Sequence, residues 1–379
     1  MLPLLKKENK DDILDWLSLI RSENVGPRTF FDLIKIYGSA KDALFSIPEL
    51  SKKGGSKKPI KIFARDDAEK ELSAASKIGA EIINCYDNNY PELLKNIYDP
   101  PPVITILGKA EILNDKCFAV VGSRNASSNA CIFASKIAEE LGEAGVKIVS
   151  GLARGIDTAA HKGSLKTGTI AVVAGGIDNI YPPENKNLRE KIIETGCVVA
   201  ELPFGAMPKA QNFPQRNRII SGISLGTLIV EATLRSGSLI TARLAGEQGR
   251  DVFAVPGFPL DPRCEGTNRL LKQGAIMVEN ATDILDAINQ SRTEQNLFSD
   301  KTNDLFSPAL IKLPSDSEIE KVRDKILAKL GSTATPINKL IEECETTAQV
   351  MLAAIIELEL AGKVERLSGN KVSLVYNHD

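Results

Sequence analysis

Between residues 103 and 280 the sequence alternates short, almost uninterrupted apolar runs with stretches of helical periodicity, and this alternation narrows the possible folds more than any other feature. The runs are VITILG (103–108), CFAVVG (117–122), VKIVSG (146–151), TIAVVAGG (169–176), CVVAEL (197–202), GTLIVEA (226–232), DVFAVPG (251–257) and AIMVEN (275–280), with EIINCY (81–86) ahead of them. Strands with no polar face are strands covered on both sides, as crossover helices cover a parallel sheet. Helices fit between them: Phe133, Ile137 and Leu141 share one face, and similar patterns cover 157–167, 185–195, 214–222, 238–249, 266–273 and 282–290. The expectation is an α/β class protein with a doubly wound, mostly parallel sheet, EIINCY and VITILG being its entry strands.

That core leaves two ends to explain, and 379 residues suit two or three domains. At the start, Ile13, Leu17 and Ile20 share a helical face, Val25-Gly26-Pro27 makes a turn, and Phe30, Leu33, Ile34 and Tyr37 continue helically. A helical hairpin of this kind can offer the amides of its glycine turn to a phosphate. The run SKKGGSKKPIK (51–61) reads as a solvated basic linker, and 291–317, without sustained period, as a second linker. Beyond it Ile319, Val322, Ile326 and Leu330 form a helix face, Pro336 opens a second helix, and Thr346 can cap a third that runs to Gly362. KVERL and KVSLVY then flank Ser368-Gly369-Asn370 as a hairpin, which completes a winged-helix outline. The expected division is 1–61, 62–290, 291–317 and 318–379.

Composition excludes several classes. With 43% hydrophobic and 25% charged residues the chain can bury a core, and no apolar run reaches the roughly 18 residues of a membrane span. The opening MLPLLKKENKDD turns charged before a signal-type apolar region can form, so a cytoplasmic location with no membrane partner is expected. Six cysteines without a CxxC pair, and only His161 and His378 as imidazoles, argue against a disulfide framework or a zinc site; no metal and no cofactor is expected. Net charge is -2, from 47 basic and 49 acidic residues. Residues 1–61 carry 12 basic and 8 acidic residues, while 62–314 and 315–379 each come to -3, so any nucleic-acid footprint must be local.

In a doubly wound sheet ligands bind beyond the carboxyl ends of the strands. The loop Gly122-Ser123-Arg124-Asn125 combines permissive backbone, a hydroxyl and a guanidinium just before a helix start, the makings of a phosphate cradle. It is neither GxGxxG nor GxxxxGK[ST], so nicotinamide and nucleoside-triphosphatase chemistry lose their usual fingerprints. SGLARGIDTAAH places Gly151 and Gly155 around Arg154, with Asp157 suited to cap the next helix and His161 suited to packing or hydrogen bonding rather than catalysis. AGGIDNIYPPEN brings Tyr181 to a wall of the same pocket. From Phe204 to Arg218 the chain holds Lys209, Arg216 and Arg218 and no acid, with Phe213 beside prolines. Cations beside an aromatic are the parts of a single-strand groove; the alternative for Phe213 is a core plug under the loop. Finally, Gly237, Ser238 and Thr241 reach another helix start, a second set of anion-binding amides.

The ordered set VGSR, SGLARGID, NFPQRNRIISGIS, SGSLITARLA and GTNRLLKQGA closely resembles the DNA-processing protein A family (DprA, also called Smf) over residues 85–285. The resemblance implies an extended Rossmann-like core, flanked by an N-terminal helical domain of SAM or helix-hairpin-helix type and a C-terminal winged helix. It implies a homodimer that binds single-stranded DNA without marked sequence preference, protects incoming DNA during natural transformation and helps load RecA on strands coated by single-strand binding protein. The family's phosphate loop falls on Gly122, Ser123 and Arg124. The basic and aromatic positions of its DNA pocket fall on Phe213 and, with variable spacing, Lys209. Arg216, Asn217 and Arg218 match its RNR signature, either touching DNA or bracing the pocket. The acidic winged helix suits protein contact or dimer regulation better than DNA reading. The competing reading is a nucleotide-acting phosphoribohydrolase related to the LOG proteins; Glu231 is an available acid, but the PGGxGTxxE stretch of those enzymes is missing.

Overall fold

The computed structural model describes residues 12–298, 314–331, 333–367 and 369–375. His378, Ser368 and the first eleven residues lie outside these, as does most of the segment read as the second linker.

Four helices open the described chain: α1 (Asp12–Arg21), α2 (Pro27–Tyr37), α3 (Ala40–Lys53) and α4 (Arg65–Lys77). The buried side of α1 is centred on Trp16, Leu17 and Leu19, while Ile13 and Ile20 are only half-buried, so the face expected from the sequence is rotated. Trp16 packs on Phe30 with ring centroids 4.9 Å apart. The basic run 51–61 begins inside α3 and is fastened at its far end, where the Lys61 amide donates to Glu23 and the Phe63 amide to Ser22.

The α/β body follows in order as β1 (Ala80–Asn84), α5 (Glu92–Lys95), β2 (Val103–Gly108), β3 (Cys117–Val121), α6 (Ser128–Glu143), β4 (Lys147–Ser150), α7 (Ile156–Ser164), β5 (Thr169–Val173), α8 (Lys186–Thr195), β6 (Cys197–Ala200), α9 (Asn212–Ile223), β7 (Gly226–Ile229), α10 (Ser238–Glu247), β8 (Asp251–Ala254), α11 (Glu265–Lys272), β9 (Ile276–Met277) and α12 (Ala281–Phe298). Every apolar run became a strand of one nine-stranded sheet, ordered β1-β2-β6-β5-β4-β3-β7-β8-β9. β1 and β2 pair antiparallel at one edge, β2 joins β6 antiparallel, and all other pairs are parallel. The central strands β3, β5, β6 and β7 are buried along their whole length, which is why their sequences lack a polar face. From β3 the chain winds outward through β4, β5 and β6, then returns to lay β7 on the other side of β3. Right-handed crossovers put helices on opposite faces when the winding direction reverses, and the loops leaving β3 and β7 diverge at that point to open a crevice. The core on one face gathers Phe118, Ile137, Leu141, Ile148, Phe253 and Ile284.

The C-terminal part comprises α13 (Asp316–Lys329), β10 (Thr335–Pro336), α14 (Ile337–Cys344), α15 (Ala348–Leu360), β11 (Val364–Leu367) and β12 (Lys371–Leu374), the strands forming a sheet ordered β10-β12-β11. Ile319, Val322, Ile326 and Leu330 are buried in its core as their spacing predicts. The cap of α15 is Thr347, one residue after the expected Thr346; its hydroxyl accepts from the Val350 amide. The described residues divide into two compact units, one built from Glu71–Ile97 and the chain from Val103 through α12, the other from the chain up to Lys70, Tyr98–Pro102 and the elements from α13 onward.

Candidate nucleic-acid interface

The crevice at the β3/β7 reversal is a cavity of about 840 Å³. The loops that follow the parallel strands and the start of α9 build it. Gly122, Ser123, Arg124 and Asn125 enter from β3, Tyr181 from the loop after β5, Phe213 and Pro214 from the first turn of α9, and Ser236, Gly237 and Ser238 from the loop after β7. Proline is tolerated in that first turn because its missing N–H has no partner there anyway.

At the rim the Arg124 guanidinium carbon lies 4.9 Å from the centre of the Phe213 ring, within cation–π range, and Phe213 meets Tyr181 at 5.6 Å between centroids. Arg124 is exposed and takes part in no ion pair among the described residues, and Tyr181 is exposed as well. Phe213 is half-buried and lines the cavity, so it is a wall of the site and not a plug beneath it. The backbone of Ser123 and Arg124 is pressed against Gly155, whose φ is +71°; a Cβ there would stand 2.3 Å from the Ser123 carbonyl oxygen. Gly155 therefore shapes the loop from behind without lining the cavity.

The floor is built differently. Arg216 is only 6% exposed, and its Nη1 donates to the carbonyls of Gly151, at 2.7 Å, and Val172. A Cβ on Gly151 would fall 2.2 Å from that nitrogen, which explains the glycine. Burial pulls the Arg216 pKa down to about 10, with Asp157 opposing the shift, so the side chain stays charged near neutrality. Burial in turn raises Asp157 above the usual carboxylate range, against the pull of Arg216. Asp157 does not cap α7 as its position suggested: it lies inside the first turn and accepts from the amides of Gly151 and Ala153, tying the preceding loop down. His161, fully buried, packs beneath: Thr169 donates its hydroxyl to the Ile148 carbonyl, so Nδ1 of His161 donates to Thr169 Oγ1.

Three consecutive residues of a helix point about 100° apart, so Arg216, Asn217 and Arg218 cannot share one target. Arg216 turns into the floor, Asn217 donates to the Gly237 carbonyl at 3.4 Å, and Arg218 leaves the cavity to pair with Glu201 at 2.6 Å. Lys209 is exposed between Pro208 and Ala210, which do line the cavity, while Lys209 itself does not. Thr241 lines it from the first turn of α10.

The two helix starts also differ. α6 begins after Ser127, and the Glu231 carboxylate accepts from both the Ser127 amide (2.9 Å) and hydroxyl (2.6 Å). The start of α6 is thus already served from within, by Ser127 on the Ala130 amide and by Glu231 behind Ser127. At α10 the N-cap is Gly237, with no side-chain cap, and it opens on the cavity. Of the polar lining residues, Thr233, Ser236 and Arg263 have no role in the sequence analysis and Tyr181 only that of a wall; Arg263 is held bidentate by Asp261. Thr233 and Ser236 lie in the loop after β7, within reach of the strand-end rule that picked out Gly237 and Ser238. Among the described residues no cluster of three or more His, Cys, Asp or Glu could hold a metal, and no helix is long and apolar enough to cross a membrane.

The chain matches the family model for DNA recombination-mediator protein A over residues 81–289, together with models for a DprA-like N-terminal HHH domain over 10–74 and a DprA winged helix domain over 312–370. It is 37% identical over 315 residues to Protein Smf of Escherichia coli, covering 82% of each chain. It is 44% identical over 201 residues to DNA processing protein DprA of Streptococcus pneumoniae, covering 52% of this chain and 71% of that one. Among solved structures, DNA processing protein A from Streptococcus pneumoniae aligns with a TM-score of 0.59 at 35% identity, covering 69% of this chain and 92% of that one. The protein of the same name from Helicobacter pylori, described for its single-stranded DNA binding mode, aligns at 0.52 and 28% identity, covering 58% and 98%.

Proposed function

The chain belongs to the DNA recombination-mediator protein A family, and we propose that its strand-end cavity holds single-stranded DNA, a phosphate beside Arg124 and a base stacked against Phe213 and Tyr181. The observation that carries this reading is the exposed Arg124 guanidinium, without an ion pair among the described residues, over the Phe213 ring in a cavity whose lining carboxylate, Asp157, is engaged by backbone amides. Such a site suits unpaired bases, because stacking needs a free π face that a duplex conceals. Gly122, Ser123 and Asn125 bring backbone and short polar groups to the phosphate, Gly237 and the Ser238 hydroxyl line the facing wall at the start of α10, and Thr241 and Asn217 complete that wall. Lys209 adds charge at the rim. Arg216 with Gly151, and Gly155 behind the loop, brace the site, and Arg218 stabilises α9 from outside it.

The reading extends to a non-enzymatic role: protection of incoming DNA and promotion of RecA loading during natural transformation and recombination, by a cytoplasmic homodimer that meets single-strand binding protein, without metal or cofactor. The 62–290 segment carries the DNA, between the helical 1–61 and winged 318–379 segments. A phosphoribohydrolase would need a free acid or base, and Glu231, its best candidate, is occupied at the start of α6. Titrating a fluorescent oligonucleotide and its duplex at two salt concentrations tests the proposal. Single strands should bind more tightly, with affinity falling as salt rises; preference for the duplex, or release of adenine from AMP, would overturn it.

A further inference from the structure

A winged helix that reads DNA lays the second helix of its helix-turn-helix in the major groove, so that helix normally keeps one face polar and exposed. Here that helix is α15, AQVMLAAIIELEL, which is apolar around most of its circumference. Met351, Ala354, Ile355 and Leu358 fill the winged-helix core, while Ile356 and Leu360, 2% and 1% exposed, are buried outside that cluster. A helix apolar on two sides is a helix covered on two sides. The second cover is α3, from the other end of the chain, packed against α15 within the same compact unit.

The contact is built in detail. Gly54, which caps α3, lies so close that a Cβ on it would stand 1.9 Å from the Glu357 carbonyl oxygen. The Leu360 carbonyl accepts from both Ser51 Oγ (3.1 Å) and Asn24 Nδ2 (3.2 Å). Arg366, on β11, pairs with Asp32 of α2 at 2.5 Å and with Glu359 of α15 at 3.2 Å, and Thr29 donates to the same Glu359. Both acids beside Arg366 face it from different ends of the sequence.

We infer that the N-terminal helices and the winged helix are one cooperative folding unit, in which α15 takes the protein's own α3 as its partner where a DNA-reading winged helix would take a groove. The acidic residues of α15 fit this: Glu357 and Glu359 would repel phosphates, and here each is paired with an arginine, Arg323 and Arg366.

The single tryptophan, Trp16, sits in the N-terminal helices and gives a direct readout. Ile355→Ala in the full chain removes a fully buried side chain from the winged-helix core, far along the sequence from Trp16. The urea midpoint of Trp16 emission should fall by about 1 M, the shift expected when a core isoleucine is truncated in the unit being observed. An unchanged Trp16 midpoint would overturn the inference. A second measurement uses the unaltered chain: amides of α3 and α15 should exchange through one common opening, and duplex DNA should leave α15 exchange unchanged. Exchange of α3 well ahead of α15, or protection of α15 on adding duplex, would overturn it.

Discussion

Arg124 and Arg216 approach the same cavity with the same side chain and have opposite fates. At the rim, Arg124 is exposed, without an ion pair among the described residues, and laid over an aromatic ring. In the floor, Arg216 is buried, bonded to two backbone carbonyls and balanced by Asp157. Desolvation accounts for the difference: a buried guanidinium is held by acceptors inside the protein, and the Nη1 of Arg216 is already committed to two backbone carbonyls. The rim can therefore bind and the floor can hold the rim in place, although both read as basic in the sequence.

The largest test of this contrast is Arg216→Ala. It leaves the buried carbonyls of Gly151 and Val172 without this donor and takes the nearby positive charge from buried Asp157; each unsatisfied buried group costs about 1–3 kcal/mol, measurable by chemical denaturation. A loss of affinity with no loss of stability would move Arg216 from floor to rim. Phe213→Ala works the other way: single-strand affinity should drop by about 1–3 kcal/mol, the worth of one stacked base, while the melting temperature changes little. A collapse in melting temperature would instead make Phe213 a core residue.

Acid should strain the floor before the rim. Burial lowers His161 to about 3 from its ordinary 6.5, so the unfolded chain takes up the proton first as pH falls. The stability this group contributes is complete above 6.5 and declines from there toward 3, a loss of about 2 kcal/mol by pH 5. A His161→Asn chain should lack this component of the pH slope between 7 and 5. The smallest effect belongs to Arg124→Ala, which should weaken binding similarly for all sequences and shallow the plot of log affinity against log salt by about 0.7, one phosphate contact on a single strand. An unchanged slope would remove Arg124 from the phosphate.

The sheet was legible because fully buried strands are written mostly in apolar residues, with only short hydroxyls such as Ser150, Thr169 and Thr227 among them, and the post-strand loops because a parallel sheet collects them at one end. The roles of individual charges were not. Glu231 reads as an available acid and is tied to Ser127, the cap of α6; Asp157 reads as a cap and is a loop anchor; Arg216, Asn217 and Arg218 read as one motif and face three ways. Each outcome depends on what stands within about 3 Å, and hydrogen-bond geometry has no counterpart in residue order.

What the amino-acid order determined by itself was local and periodic: which segments are strands or helices, how they alternate, and that Arg124 and Phe213 leave the sheet at the same end. Tertiary structure alone decided which charges stay open to a ligand and that Arg366 meets Asp32 across 334 positions of chain. The cause is common to both. Burial converts a charge into a structural bond, and burial is a property of the folded neighbourhood, set by residues that the sequence keeps far apart.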